Sequence, residues 1–396
     1  MKKKLTVLTM AVIMLLTSSG CSVLTQETVK KNRPKDFKVV VITDDKSANK
    51  ERYTSIKTTI KKYKDDLKEQ EEKETGTPER KKYVQELVLP ADITKDMPSV
   101  EAKIKKLAKD KRVQAFVVST EQVGLLPVIE KVKKERPEIT TIAAPMQENA
   151  NYLSEAMDVV LSMGQNERAE AMVQTAKKMG ATRFIHYAKR DDLKDKNIQL
   201  RKDAIKEFCK KSGLGFAEVA LSDYTDEAGK EKMKQILTEN IDSQIKKFGK
   251  DINVFGASPD LDEVILEKDK QSKYIVAEQS TPDPSKTYPE VMGFKISKKH
   301  KDDYMYMSDR ISEGAKRYGL SNRLAGYQKP YDVFLPAFAI DLAVEMADRD
   351  LTQEDITQKD YLEAFVEKNY GVSSEFKNYS EAMYNYQVFT IEHMVY

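Results

Sequence analysis

The chain has 396 residues, of which 33% are charged and 40% are hydrophobic, and it carries a formal net charge of +3. The lysines at positions 2–4 account for that charge, so the remainder is neutral and offers no electrostatic basis for binding nucleic acid or an anionic membrane surface. Two cysteines exclude a disulfide framework, and three widely separated histidines lack metal-site spacing, so we predict neither a metal nor a cofactor.

The first 21 residues have the layout of an export signal. Three lysines precede the apolar run Leu5–Leu16, which is shorter than the roughly 20 residues that span a bilayer as a helix. The small residues Thr17–Gly20 before Cys21 resemble the lipobox of bacterial lipoproteins, whose cysteine is diacylated. We therefore predict a signal peptide over 1–20, lipidation of Cys21, a tether over 21–36, and an extracytoplasmic protein anchored to the bacterial cell membrane. Ordinary secretion and a cytoplasmic chain are the alternatives.

From Phe37 onwards, short β-branched segments alternate with longer amphipathic ones. Strands that are apolar throughout and separated by helices are typical of a parallel sheet covered on both faces. The predicted strands of this first set are Phe37–Thr43, Tyr83–Leu89, Val113–Thr120, Ile139–Ala144 and Asp158–Met163. The predicted helices are Asn49–Tyr63, Val100–Lys109 and Leu125–Glu135. We therefore predict a doubly wound first lobe over residues 37–163.

A second alternating set follows from residue 164. Its predicted strands are Thr182–Tyr187, Gly215–Leu221, Ile252–Ala257 and Tyr274–Glu278. Its predicted helices are Asn166–Met179, Ile198–Lys211, Glu227–Phe248 and Pro259–Lys268. Two consecutive sets of one kind predict an α/β protein with two doubly wound parallel-sheet lobes and a hinge, the second lobe covering residues 164–299.

The alternation weakens beyond Pro282. Helical patterns cover Tyr304–Tyr318 and Tyr331–Arg349, and we expect residues 300–350 to pack back on the first lobe. We predict that residues 351–396 form a C-terminal helix and strand that close the hinge region, and that the lobes are joined by three crossings.

The organisation resembles type 1 periplasmic binding proteins, the two-lobed fold of sugar and nucleoside receptors. Gly164–Met172 stands where that family enters its second lobe, and Glu278 with Gln279 stands where the chain crosses back. The chain is also similar to the bacterial lipoprotein family that contains domain of unknown function 3798. The segments that carry this second resemblance are Val117–Glu121, Gly124–Pro127, Thr141–Met146, Phe184–Tyr187, Tyr288-Pro289, Met292-Gly293, Arg323–Gly326 and Phe334–Phe338. The resemblance implies the two-lobed architecture and an envelope location.

The carboxyl ends of the predicted strands supply the candidate ligand contacts. In an open parallel sheet, ligands bind outside these ends, where loops of both lobes face one cleft. Carboxylates and amides can bond hydroxyls and amines, and an arginine can pair with an anionic or polyhydroxylated ligand. The predicted ligand-binding residues are Thr43, Asp44, Thr120, Glu121, Met146, Tyr187, Arg190, Ser258, Asp260, Glu278, Gln279 and Tyr327.

Several of these residues have ordinary structural alternatives. Asp44 and Asp260 can cap the helices that follow them, because aspartate is favoured at helix starts. Glu121 can be a solvent-facing loop residue, and Arg190 can form a solvated ion pair. Tyr187 and Tyr327 can belong to the core, since aromatic residues contribute large buried areas.

We predict a solute-binding protein that captures a small polar ligand, sugar- or nucleoside-like, between its lobes for an ABC-type membrane permease. The alternative is a ligand-sensing lipoprotein for a signalling receptor. We find no nucleophile elbow, P-loop, dinucleotide fingerprint or histidine metal motif in the sequence, so we predict no enzymatic activity. A repressor of the lactose type shares the fold but has a helix-turn-helix where this chain has its export signal, so we predict no nucleic-acid partner.

Overall fold

The structure is a computed structural model that describes residues 36–72, 80–281, 283–300 and 303–396. The predicted signal peptide, the lipidation site Cys21 and residues 22–35 of the tether lie outside the described residues. Within the described part, no helix combines the length and the apolar character needed to cross a membrane.

Strands and helices alternate along the chain, largely where the hydrophobic pattern predicts them. The strands are β1 Phe37–Thr43, β2 Lys82–Val88, β3 Val113–Thr120, β4 Thr140–Met146, β5 Val159–Ser162, β6 Arg183–Lys189, β7 Gly215–Leu221, β8 Ile252–Gly256, β9 Ala325–Tyr327, β10 Ser374–Asn378, β11 Tyr386–Ile391 and β12 His393–Val395. The helices are α1 Lys50–Glu72, α2 Met97–Ala108, α3 Leu126–Glu135, α4 Ala150–Ala156, α5 Gln165–Lys178, α6 Lys196–Ser212, α7 Glu227–Phe248, α8 Pro259–Ser272, α9 Pro284–Val291, α10 Tyr304–Arg317, α11 Tyr331–Arg349 and α12 Lys359–Tyr370.

The sheet of the first lobe has the strand order β10–β11–β5–β4–β3–β1–β2, and its pairs are parallel except β10 with β11. Both faces of its central strands are buried because helices cover both sides. One face packs against α1, α11 and α12 around Phe334, Phe338 and Phe389. The other face packs against α2, α3 and α4.

The sheet of the second lobe has the strand order β7–β6–β8, with parallel pairs. The predicted strand Tyr274–Glu278 extends this sheet only through isolated bridges, such as Asn253 with Ile275. The side-chain oxygen of Asn253 accepts a hydrogen bond from the Ala277 amide at 2.8 Å, so a side chain interrupts the backbone ladder there. The parallel strands and the covering helices of both lobes confirm the predicted fold class of two doubly wound lobes.

The structure places α10 in the second lobe. Ile311 and Ala315 of this helix belong to the core that α7, α8 and α9 form. Gly314 allows a close approach to Met292, since a Cβ atom at this glycine would lie 2.4 Å from the methionine sulfur. The prediction that residues 300–350 pack on the first lobe is therefore wrong for α10. An apolar stripe specifies that a helix face is buried, but it does not specify which lobe covers that face.

Three segments of the described chain pass between the lobes: one between β5 and α5, one between β9 and α11, and one between β11 and β12. The structure corrects the prediction that the chain crosses back at Glu278 and Gln279. These two residues end the irregular strand within the second lobe, and the chain then forms α9, α10 and β9 before it crosses at residues 328–330.

Candidate ligand site between the lobes

Asp44 joins the carboxyl ends of β1 and β3. Its carboxylate accepts hydrogen bonds from the Thr120 hydroxyl at 2.6 Å, the Glu121 backbone amide at 2.8 Å and the Gln122 side-chain amide at 2.9 Å. Asp44, Thr43 and Thr120 are all buried. The carboxylate is therefore occupied within its own lobe, where it holds the loop that follows β3.

Arg52 on α1 connects the same loop to α11. Its Nη2 donates to Glu121 Oε1 and to Asp332 Oδ1, both at 2.9 Å, although the arginine side chain is only 5% exposed. Glu121 is more exposed than its partner, yet its carboxylate is engaged by this arginine. Met146, at the end of β4, packs in the first-lobe core. The predicted residues of the first lobe thus bond or pack mainly with one another and with α1.

The second lobe has a separate polar cluster at the ends of β6 and β8. Lys189 Nζ donates to Asp260 at 2.7 Å, and the Tyr224 hydroxyl donates to the same carboxylate at 2.8 Å. Ser258 Oγ donates to Asp192 at 2.7 Å. Burial opposes ionisation of Asp260, but hydrogen bonds from Lys189 and Tyr224 outweigh it and lower the pKa of the carboxyl. The polar groups of this cluster are therefore held by hydrogen bonds within the second lobe.

Tyr187 and Arg190 lie outside this cluster. Tyr187 is completely buried in the second-lobe core, and its hydroxyl donates to Asn240 on α7 at 2.9 Å. Its prediction as a ligand contact is therefore corrected, because alternate side chains of a covered strand face the packed helices. Arg190 is exposed and follows the end of β6.

A buried ionic group lies where the crossings meet, and we call Arg168, Glu278, Tyr327 and His393 the hinge cluster. Glu278 accepts a hydrogen bond from Arg168 Nε at 2.5 Å and contacts His393 Nε2 at 2.7 Å. The Tyr327 and His393 rings stack with centroids 4.5 Å apart. Burial opposes the charge of Glu278, but Arg168 and His393 outweigh it and lower the pKa of the carboxyl. The hinge cluster thereby links segments next to each described crossing.

Several buried polar atoms around the hinge cluster have no hydrogen-bond partner among the described residues. They include Arg201 Nε, the Tyr327 hydroxyl and both side-chain amide atoms of Gln279. Arg201 Nη1 donates to Gln165 at 3.1 Å, and burial together with the Arg168 charge lowers the pKa of Arg201 to about 9. Sequence reasoning missed Arg168 and Arg201, because the helical pattern gives no signal that these positions approach a hinge.

A cavity of about 460 Å³, the interlobe cavity, lies between the lobes beside the second crossing. The first lobe lines it through α1, α11 and the end of α12, and the second lobe lines it through α9, α10 and the segment that joins them. The lining residues are Lys50, Glu51, Thr54, Ser55, Thr58, Thr59, Asp283, Ser285, Lys286, Ile296, Ser297, Tyr304, Met307, Lys329, Val333, Phe334, Ala337 and Tyr370. None of the residues predicted at the strand ends is among these described lining residues, because the cavity follows the flank of α1.

Lys329 also lines two adjoining cavities, of about 590 and 10 Å³, and Tyr327 lines the smaller of these. Lys329 Nζ lies 4.9 Å from the centroid of the Tyr370 ring, and burial lowers the pKa of the ammonium group. The sequence gives one local signal for the position of Lys329. This lysine directly precedes Pro330, the residue before α11, so it lies in the connection that leads into the helix.

A cavity of about 340 Å³ lies between α5 and the β10–β11 hairpin. Both lysines of its lining pair with glutamates of the same lining: Lys377 lies 3.0 Å from Glu170, and Lys178 lies 3.7 Å from Glu392. This cavity is the weaker ligand candidate because both of its lysines already have ion-pair partners. Within the described ranges, no group of three or more His, Cys, Asp or Glu side chains is placed to hold a metal ion.

The family profile described as "Protein of unknown function (DUF3798)" matches residues 37–325, from β1 to the start of β9. A solved structure from Clostridium difficile 630, described as a "Putative transcriptional regulator", is 49% identical; the match covers 91% of this chain and 99% of that one, with a TM-score of 0.84. An "Uncharacterized protein" of Treponema pallidum is 26% identical over 145 residues, or 37% of this chain and 67% of that protein. A solved "ABC Transporter Substrate-Binding Protein" from Desulfitobacterium hafniense is 12% identical, with coverage of 90% and 96% and a TM-score of 0.49.

Proposed function

Because this chain belongs to the DUF3798 family and forms a cavity between two hinged lobes, we propose that it captures a small solute by closure of those lobes. The observation that carries the proposal is that both lobes line one cavity of about 460 Å³. Ligand pockets typically measure roughly 300–1,000 Å³ and lie at such interfaces. The proposal keeps the predicted class of protein but moves the binding site from the strand ends to the interlobe cavity.

Capture requires lobes that can move relative to each other. In hinge closure around a ligand, a few connecting residues take up the change in backbone dihedral angles. The described crossings are short enough to act as such hinges. At the cavity mouth, Lys286 Nζ of α9 lies 2.6 Å from Glu51 of α1, with both side chains partly exposed. Such a pair contributes only about 0–1 kcal/mol, so it holds the lobes weakly and leaves ligand binding to favour closure.

The lining of the interlobe cavity suits a solute with polar and apolar surfaces. Thr54, Thr58 and Ser285 contribute hydroxyl groups, whereas Val333 and Ala337 contribute apolar surface. A sugar- or nucleoside-like solute would need paired hydrogen bonds. The strand-end carboxylates of Asp44 and Asp260 already accept hydrogen bonds from neighbouring side chains. In this proposal the strand-end residues position loops, and the cavity residues contact the solute.

The proposal extends to location and delivery. The small residues before Cys21 support lipid attachment outside the cytoplasm, and a tethered binding protein would deliver its solute to an ABC-type permease. Intact-mass analysis of membrane-extracted protein should show a chain that starts at a diacylated Cys21. The Cys21→Ser variant should leave the membrane fraction, and equal retention of that variant would contradict the anchor.

The description of the Clostridium difficile protein favours a second candidate, a ligand-responsive transcriptional regulator. That function requires a cytoplasmic chain that binds DNA, whereas residues 1–20 have the pattern of an export signal. Cell fractionation separates the two, since recovery with the membrane supports solute capture and recovery in the cytoplasm together with DNA binding supports the regulator. A sensor lipoprotein would share the capture step and differ in its membrane partner.

Native mass spectrometry of freshly purified protein tests solute capture, followed by thermal melting with sugars, nucleosides, amino acids and organic acids. A solute at about 100 times its Kd should raise the free energy of unfolding by about 2.7 kcal/mol. The Thr58→Trp variant should abolish that effect by filling the interlobe cavity, while Lys61→Trp, on an exposed position of the same helix, should not. Absence of any bound solute and of any melting shift would reject the proposal.

A further inference from the structure

The charged groups of the interlobe cavity are not balanced. Lys286 pairs with Glu51 at 2.6 Å, and Asp283 accepts hydrogen bonds from the Ser285 amide at 2.9 Å and the Ser285 hydroxyl at 2.5 Å. The acids of the lining thus have partners of their own. Lys50 lies at the exposed start of α1, where water can solvate its ammonium.

Lys329 is the partly buried lysine of this lining, and no carboxylate of the described chain forms an ion pair with it. Its ammonium lies over the face of the Tyr370 ring, 4.9 Å from the ring centroid. A cation–π contact of this kind contributes about 0.5–1 kcal/mol where solvent reaches it, which compensates only part of the lost hydration of an ammonium. The ammonium therefore retains hydrogen-bond donors for an anionic group in the cavity.

The surface next to this ammonium is apolar and held in place by its own contacts. The Tyr370 hydroxyl donates to Asp341 at 2.7 Å, which holds the ring. The Phe334 ring meets the Tyr370 ring edge-on, with centroids 5.0 Å apart, and Val333 and Ala337 continue the wall along α11. A preformed apolar wall beside a single charge favours ligands that carry one charged end.

From this arrangement we infer that the interlobe cavity binds an amphipathic monocarboxylate, whose carboxylate bonds the Lys329 ammonium and whose apolar body packs against Val333 and Tyr370. The inference rests on the proposed function, because it names the ligand class of the same cavity. One carboxylate balances one unpaired ammonium, whereas a neutral sugar leaves the ammonium unpaired. Aliphatic and aromatic acids share this chemistry, and the experiment below separates them.

Isothermal titration of the full chain with octanoate and phenylacetate, against their neutral amides, tests the inference. We expect at least one acid to bind about 10- to 100-fold more tightly than its amide, as for a hydrogen bond between charged groups in a partly buried site. Lys329→Met should remove the preference for the acid but keep amide binding, and Lys329→Arg should retain the preference. Lys61→Met is the matched control, because this lysine is exposed on α1 and does not line the interlobe cavity, and it should change neither.

Equal affinity for acid and amide, no binding of either acid, or an acid preference that survives in Lys329→Met would overturn the inference. If sugars or nucleosides bind instead and Thr58→Trp blocks them, solute capture stands and the ligand class is wrong. If no solute of any class binds, solute capture fails as well. A urea unfolding curve for each variant establishes that a lost preference does not reflect a lost fold.

Discussion

At the hinge, Arg168 and Glu278 lie 2.5 Å apart and almost completely buried, whereas in the interlobe cavity Lys329 is partly buried and has no ion-pair partner in the described chain. The charges of Arg168 and Glu278 match each other although they lie on different segments, so this pair stabilises the junction of the chain crossings. The Lys329 ammonium has no counter-charge, so the lost hydration of this group is compensated only when an anionic ligand binds. The difference separates a structural ion pair from a candidate binding group, although both use ordinary basic side chains.

The largest expected effect comes from breaking the hinge pair. Glu278→Gln leaves the buried Arg168 guanidinium without its counter-charge, and we expect the free energy of unfolding to fall by about 3–5 kcal/mol. Urea unfolding of the wild type and the variant measures this loss of free energy. Glu313→Gln is the control, because this glutamate pairs with Arg310 on the exposed face of α10, and its loss should cost less than about 1 kcal/mol. Equal losses in the two variants would contradict the structural role of the hinge cluster.

Acidification should weaken the hinge in the same protein. The pKa of Glu278 is lowered below its ordinary value of 4.5 by Arg168 and His393, so its contribution to stability is complete above that value and disappears as the pH falls through the lower, folded-state pKa. The difference in unfolding free energy between the wild type and Glu278→Gln should therefore shrink below about pH 4.5. A difference that grows on acidification would mean that Glu278 is protonated in the folded protein.

The cavity lysine should behave in the opposite way. Lys329→Met removes an unpaired, partly buried ammonium and keeps an unbranched side chain, so we expect the unfolding free energy to rise by about 1 kcal/mol in the absence of ligand. Lys57→Met is the matched control, because the Lys57 ammonium lies 2.5 Å from Glu86. This variant should lower the unfolding free energy by roughly a few tenths of a kcal/mol. Thermal melting measures both, and a clearly destabilised Lys329→Met would show that this lysine has a structural partner.

The smallest effect concerns the cavity mouth. Lys286→Gln breaks the partly exposed pair with Glu51, and the melting temperature should fall only slightly at low salt. At about 1 M salt the wild type and the variant should melt together, because the Debye length is then only about 3 Å. A large, salt-independent loss would mean that this pair locks the lobes together in the absence of a ligand.

The secondary structure was predictable where local signals agree. The predicted helices Glu227–Phe248 and Tyr331–Arg349 have the bounds found in the structure. For the first of these, the Asp226 side chain caps the start by accepting a hydrogen bond from the Gly229 amide, and Gly249 follows the end. The predicted strand at Tyr274–Glu278 was less regular, because a tertiary contact from the Asn253 side chain replaces part of its ladder.

The candidate site was less predictable, because its contacts join residues far apart in the chain. The rule for strand ends found Asp44 and Asp260 but could not show that their carboxylates are already bonded by Thr120 and Lys189. Nor could it show that Lys329 would lie on an apolar wall with no ion-pair partner.

The sequence by itself determined the alternation of strands and helices, the two doubly wound lobes and the apolar faces that helices cover, because periodicity and capping act within a few residues. Only the tertiary structure decided which lobe covers α10, which charges meet at the hinge and which line a cavity. Arg168 and Glu278 are 110 positions apart, and His393 is a further 115 from Glu278. An ion pair requires two side chains within a few ångströms, and no local pattern encodes which distant partner, if any, the folded chain brings to that distance.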